Sequence, residues 1–213
     1  CFNLIDTVDS FSIYEVVSTD DVNELEEFED KKIALALVAD FKYLYQYFSN
    51  MYKRIRVEGQ YDGEVILLTG KYTPTFLIKE IRRRNNVSVF RFPKIIFNQE
   101  TEDSLKNLNT GDNPNRHLTK NFQWNKLHLF DSWIKDWDYI FYLDINMSIH
   151  DDIKPILKNL PSNGFHARSD SYPTYEWKLK SQFDQTDIKY NKLSSNYDLE
   201  INNYFQTGVM YFD

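Results

Sequence analysis

Between Ile33 and Phe92 the chain alternates short apolar runs with amphipathic stretches. Ile33-Ala34-Leu35-Ala36-Leu37-Val38 is continuously apolar and six residues long, the pattern of a strand buried on both faces. Asp40 then stands where a helix N-cap is needed, and Phe41, Leu44, Tyr45, Phe48, Met51, Tyr52 and Ile55 recur at helical spacing. A turn spanning Gly59 to Gly63 leads into a second apolar run, Glu64–Thr69, so that strand, helix and strand form a βαβ crossover. Thr73 as N-cap and Pro74 as the first helical residue predict another helix, with Phe76, Leu77 and Ile81 facing the core and Asn85-Asn86 ending it. Val87–Phe92 alternates as a third strand and stops at Pro93.

Further on the pattern loosens. Residues Asn98–His117 are polar and read as a lid or mobile loop. The next helix is predicted from about Lys120 to Lys135, with Leu127, Phe130, Ile134 and Trp137 on its core face. It delivers the chain into Tyr139–Leu143, a short buried strand that breaks at Asp144 and is followed two positions on by Asn146. A short helix starting at Asp151-Asp152-Ile153, a strand at Phe165–Arg168 and a closing strand around Phe205–Asp213 complete the legible elements. Residues 169–203 show no pattern beyond helix and loop. Residues 1–32 are weakly patterned, and their acidic stretch Asp20–Asp30 reads as a solvated helix or lead-in. Without repeats or linkers, the expected organisation is a lead-in over 1–32 and one α/β domain over 33–213. Because the chain starts at Cys1 and stops at Asp213 inside an apolar run, it is expected to be part of a longer protein, truncated at its C-terminal side.

Composition narrows the classes. With 213 residues, 42% hydrophobic and 16% aromatic, the chain can bury a substantial core, and six Gly and six Pro exclude collagen-like and linker-like classes. One cysteine permits no internal disulfide. A net charge of −7 disfavours nucleic acid as a partner. The local exception, Arg82-Arg83-Arg84, fits the last turn of a helix, where cations complement the dipole. No run approaches the roughly 20 apolar residues that span a bilayer, so no membrane segment is expected in this chain.

The first candidate for chemistry is the Asp144–Asn146 pair. In open α/β sheets ligands bind beyond the carboxyl ends of the strands, and two oxygen-bearing side chains at such an edge can converge on one hard cation such as manganese or magnesium. The alternative is structural: Asp144 caps the following segment and Asn146 forms an Asx-turn. Asp170, Asp187 and Asp198 are further carboxylates that could serve as base or nucleophile, though each also fits an ordinary loop residue.

Lys126-Leu127-His128 precedes the strand ending Tyr142-Leu143-Asp144-Ile145-Asn146, and Phe205-Gln206-Thr207-Gly208-Val209 follows. In this order the three segments resemble the motifs of nucleotide-sugar-dependent glycosyltransferases of the GT-A fold, most closely the glycogenin-like glycosyltransferase family 8. The resemblance covers roughly Ile33 to Asp213. It implies a Rossmann-like, mixed but mostly parallel central sheet flanked by helices, and transfer of a sugar from a UDP-sugar or GDP-sugar donor to a glycan, protein or small-molecule acceptor. It also implies that Asp144 and Asn146 hold a manganese or magnesium ion and that Lys126 contacts the donor sugar or phosphate. Ala39, Asp40 and Tyr43 would lie near the nucleotide, Arg116 near the diphosphate, and Gln206, Thr207 and Gly208 against the transferred sugar. Lys126 also fits an ordinary solvated helix lysine, and His128 a packing residue.

Three departures stand out. Asn146 replaces the second Asp of the family's Asp-x-Asp and removes one negative charge, and Gln206 replaces an Asn. The family's metal-binding His, beyond the Gly-Val strand, has no equivalent within the chain. Two other readings stay open: a nucleotidyltransferase, which would ordinarily carry a Gly-rich basic loop where this chain has Val38-Ala39-Asp40-Phe41-Lys42, and a catalytically inactive GT-A-like carbohydrate-binding or structural module.

Overall fold

A computed structural model describes residues 2–8, 11–16, 31–93, 95–107, 122–160, 164–169, 186, 188 and 205–213. Strands β1 (Phe2–Val8) and β2 (Phe11–Val16) pair antiparallel in a two-stranded sheet of their own, inside the stretch read as a weakly patterned lead-in. The acidic segment after them lies outside the described residues.

Strand β3 (Ile33–Val38), helix α1 (Phe41–Arg56), strand β4 (Glu64–Gly70), helix α2 (Thr75–Arg82) and strand β5 (Val87–Phe92) follow in the βαβαβ order the pattern predicts. Helix α3 (Gln99–Asn107) and two 3-10 segments, Trp124–Phe130 and Ser132–Asp136, precede strand β6 (Tyr139–Leu143). Helix α4 (Lys154–Lys158), strand β7 (Phe165–Ser169) and strand β8 (Phe205–Phe212) complete the described elements. Six strands form one sheet in the order β5-β4-β3-β6-β8-β7. The pairs β5–β4, β4–β3 and β3–β6 are parallel, whereas β6–β8 and β8–β7 are antiparallel. This is the mixed, mostly parallel α/β sheet that the family resemblance implies.

The apolar runs lack alternation because both faces of the sheet are covered. Leu35, Leu37, Val65, Leu67, Phe141 and Leu143 point to one face, where α1 supplies Leu44, Phe48, Met51 and Ile55 and α2 supplies Ile78 and Ile81. Ala34, Ala36, Ile66, Leu68, Ile140 and Tyr142 point to the other, where Leu129 and Trp137 cover them. Among the described residues no helix is long and apolar enough to cross a membrane.

Four local expectations need correction. The helix placed over 120–135 is, in its described part, mainly two 3-10 segments broken at Asp131, whose backbone is extended at φ −76° and ψ 157°. Three residues per turn shift the buried stripe, so Leu127 and Phe130 are 55% and 53% exposed while Leu129 is fully buried. The N-cap of α2 is Pro74 rather than Thr73; the Thr73 hydroxyl instead pairs with that of Thr69 at 2.9 Å. Ile78 takes the buried position expected of Phe76, which is exposed. The stretch from Asn98, read as a loop, begins with α3, where Asn98 caps the helix by accepting the Thr101 N–H at 2.8 Å. Residues 108–121 and most of 170–204, including Asp170, Asp187 and Asp198, lie outside the described residues.

Leu67 is fully buried in the middle of the parallel ladder, paired to β3 and β5 on its two sides. Leu67→Ala is expected to cost about 2–5 kcal/mol in urea unfolding, and a loss under about 1 kcal/mol would argue against a close-packed centre at β4.

Candidate functional site

Strand order reverses at β3: the chain passes from β3 to β4 and β5 on one side and returns to β6 on the other. The carboxyl ends of β3 and β6 therefore diverge into connections running in opposite directions, and the crevice between them is the position where doubly wound sheets bind ligands. An open, shallow cleft lies there.

One wall comes from the end of β3. Val38 and Ala39 extend the strand, with Ala39 N–H donating to the Leu68 carbonyl at 3.0 Å. Asp40 then caps α1 by accepting the Tyr43 N–H on Oδ1 at 2.8 Å, and both residues line the cleft. Phe122, Gln123 and Lys126 also line the cleft, and Asp144, Ile145 and Asn146 contribute from the end of β6.

Asp144 sits one residue beyond β6. Its N–H donates to the Gly208 carbonyl at 2.8 Å, continuing the β6–β8 ladder, and its own carbonyl accepts the Met147 N–H at 3.0 Å. Asp144 to Met147 is thus a tight turn anchored to β8. A Cβ at Gly208 would make ordinary van der Waals contact with Asp144 Oδ2 at 3.5 Å and Met147 Cε at 3.8 Å, so the glycine backbone lies directly against this turn.

Lys126 crosses from the 3-10 segment to this edge. Its Nζ lies 2.9 Å from Asp144 Oδ1, donates to Thr207 O at 3.0 Å and to Thr207 Oγ1 at 3.3 Å, and stands 4.9 Å from the centre of the Tyr142 ring. The lysine side chain is only 16% exposed against 38% for Asp144. It is the one cation among the described residues that line the cleft. From below, the Tyr142 hydroxyl donates to Asp144 Oδ1 at 2.5 Å. Burial of Tyr142, then the Asp144 charge and this hydrogen bond, push the phenol far above its usual value. Tyr142 therefore remains a donor throughout the working pH range.

Lys126, Asp144, Thr207 and Gly208 are thus brought into contact, and Ala39, Asp40, Tyr43 and Asn146 line the same cleft. Gln206 lies on the exposed start of β8, and Arg116 is outside the described residues. His128 pairs with Asp131 at 2.7 Å and stacks on Phe92 at 4.0 Å, a packing role outside the cleft. Sequence reasoning missed Tyr142, Phe122 and Gln123. Tyr142 could have been found from its period-2 relation to Asp144, which puts both side chains on one side of the strand.

A divalent ion at Asp144 and Asn146 fits this donor set poorly. Asp144 is already addressed by an ammonium and a phenol on the same oxygen, and Asn146 offers only a neutral oxygen. The cleft's other carboxylate, Asp40, is engaged at the helix cap. Among the described residues no group of three or more His, Cys, Asp or Glu side chains is placed to hold a metal.

No protein-family model matches the chain, and no curated protein matches its sequence. Solved structures do match. Core-mannan synthase A from Aspergillus fumigatus, in a Mn/GDP form, is 10% identical with a TM-score of 0.53, over 100% of this chain and 72% of that one. An active-site mutant of LgtC is 18% identical with a TM-score of 0.52, over 84% and 56% of the two chains. The WbbM bifunctional glycosyltransferase is 16% identical with a TM-score of 0.51, over 86% and 31%. The chain thus spans 56% and 31% of the LgtC and WbbM chains. At such identities the likeness establishes the fold, which is that of the GT-A glycosyltransferases.

Tyr142 is fully buried, and its bond to a charged acceptor is expected to contribute about 1.5–3 kcal/mol. Tyr142→Phe should lower stability at neutral pH by that order. The alkaline limb adds a sign test. An unfolded tyrosine ionises near 10.0 while the folded one stays protonated, so this residue's contribution is present below pH 10 and lost as pH rises above it. The variant's stability should fall less steeply above pH 10, by about 1.4 kcal/mol per pH unit, in denaturant titrations. Parallel pH curves for the two proteins would show that Tyr142 is not held neutral.

Proposed function

We propose that this chain binds a nucleoside-diphosphate sugar in the β3–β6 cleft and transfers its sugar to an acceptor hydroxyl. The observation that carries the reading is the convergence of Lys126, Asp144 and Gly208 at the switch point of a GT-A sheet. Charge is distributed along the cleft in a way that suits such a donor. Asp40, whose Oδ1 caps α1, has a second carboxylate oxygen at the β3 end of the cleft, where a nucleoside would present hydroxyl and N–H donors, and Lys126 offers an ammonium beside Asp144, where the diphosphate would lie. In this reading Ala39 and Tyr43 line the nucleoside end, Arg116 is a second cation for the diphosphate, and Gln206, Thr207 and Gly208 face the sugar. Resemblance to glycosyltransferase family 8 and the Mn/GDP form of the fungal core-mannan synthase support the donor class.

In the reaction the bond from the anomeric carbon to the diphosphate oxygen breaks, and its electron pair stays with the leaving group. The acceptor oxygen forms the new bond to the same carbon, and its proton passes to the departing diphosphate oxygen or to water. Lys126 is placed to stabilise the negative charge that grows on the departing diphosphate, a preorganised electrostatic role. Asp144 and Tyr142 hold the ammonium in position. Manganese or magnesium, which the resemblance assigns to Asp144 and Asn146, would act as a Lewis acid at the diphosphate; the donor set fits it poorly, and none of these steps passes through it.

The neutral Asn146 favours one second reading, a GT-A-like carbohydrate-binding module that no longer turns over. Titration calorimetry with UDP- and GDP-sugars, followed by an assay for released nucleoside diphosphate in the presence of glycan acceptors, separates the two. Transfer predicts binding and release, both weakened about tenfold or more by Gly208→Val, whose branched side chain would crowd Asp144 and Met147. Binding without release under every acceptor tried would favour the silent module. A folded protein that binds neither donor class would overturn the transfer reading.

A further inference from the structure

The misfit between Asp144–Asn146 and a divalent ion carries a sharper conclusion, one that rests on the donor-site reading above. We infer that Lys126 itself is the cation that binds the donor diphosphate, and that donor binding at this cleft needs no divalent metal.

The lysine is built into the site rather than draped over it. Its Nζ has three oxygen partners, Asp144 Oδ1, Thr207 O and Thr207 Oγ1, enough to use all three of its N–H donors. The Tyr142 ring below it adds a cation–π contact. Only 16% of the side chain reaches solvent, so the rotamer entropy that a free surface lysine would lose on gripping a phosphate has already been lost on folding.

An ion attached to Asp144, even through Oδ2, would share one carboxylate with this ammonium, which stands 2.9 Å from Oδ1, and the two positive charges would repel. It would gain a neutral amide from Asn146 in place of a second carboxylate. Ordinary magnesium sites use one or two carboxylates that are free to coordinate, with phosphate and water completing the shell. Here the one carboxylate already shares its charge with an ammonium, and both the lysine and the phenol take Oδ1. A diphosphate, by contrast, needs to replace only the longest of the lysine's contacts, that to Thr207 Oγ1 at 3.3 Å, to gain a charge-assisted hydrogen bond. Donor binding then requires one short movement of a side chain already at the cleft wall.

The test is calorimetric titration of the whole chain with GDP and UDP, in excess EDTA and in excess manganese. One of the two nucleotides is expected to bind in EDTA with an affinity within about threefold of that in manganese, and Lys126→Ala is expected to weaken binding in EDTA about tenfold or more. Lys126→Arg, which keeps the charge, should recover part of that loss. Binding seen only with manganese would overturn the inference and leave the donor site standing, as would binding in EDTA that Lys126→Ala does not change. Absence of binding in both buffers, with the circular dichroism of a folded protein, would instead overturn the donor-site reading. A second readout uses the metal alone: electron paramagnetic resonance should show no manganese bound to the wild type, and Asn146→Asp should create a site that removal of the Asp144 carboxylate in the double variant Asp144→Asn/Asn146→Asp abolishes. Manganese bound to the wild type and lost in Asp144→Asn would overturn the inference.

Discussion

Strand β6 is hydrogen-bonded parallel to β3 on one side and antiparallel to β8 on the other, and the cleft depends on this double pairing. The parallel partner places the end of β3, with Ala39 and Asp40, level with the end of β6. The antiparallel partner brings the start of β8, with Thr207 and Gly208, back to the same edge from the opposite direction. Carbonyls and side chains separated by more than sixty residues in sequence thus meet around Asp144. A fully parallel sheet would have ended at that edge without a strand to lay Thr207 against Lys126.

The apolar core fixes this geometry from below. Phe141 and Leu143 pack toward α1 and α2, and Ile140 and Tyr142 toward Leu129 and Trp137. A slip of one residue in β6 would exchange the two sets and bury Asp144 against helices, so the register is pinned by burial on both faces. Tyr142 then links core and site in one side chain: its ring is buried among apolar neighbours, and its hydroxyl surfaces under the Asp144 carboxylate. Leu129 does similar work for Lys126, since its burial anchors the 3-10 segment from which the lysine reaches β8.

Much of this was legible in the sequence, and what was not has physical reasons. The βαβαβ half was readable because strands buried on both faces are continuous apolar runs and α1 carries an uninterrupted stripe. Asp144 was singled out because an apolar strand broke at a carboxylate. The lysine's segment misled because a period of 3.6 was read into residues that wind with three per turn and break at Asp131, which put Leu127 on the core instead of Leu129. Thr73 misled because its hydroxyl found a partner across the turn in Thr69, a short-range side-chain contact that competes with capping. Tyr142 stayed hidden because a tyrosine in an apolar run reads as core, and only the structure places its hydroxyl against Asp144. The contact between Lys126 and Thr207 spans 81 positions and leaves no local trace at either end.

Asn146 changes meaning once the turn is seen. Two carboxylates at positions 144 and 146 of a four-residue turn would repel each other at close range, and such a turn would be comfortable only with a cation between them. With Asn146 that repulsion is absent, and the single remaining charge is balanced by Lys126, which the fold brings to the same edge from another element. At this edge one carboxylate is therefore matched by one ammonium. The neutral residue at 146 and the mostly buried lysine at 126 thus fit together: one carboxylate at this edge, and one ammonium beside it.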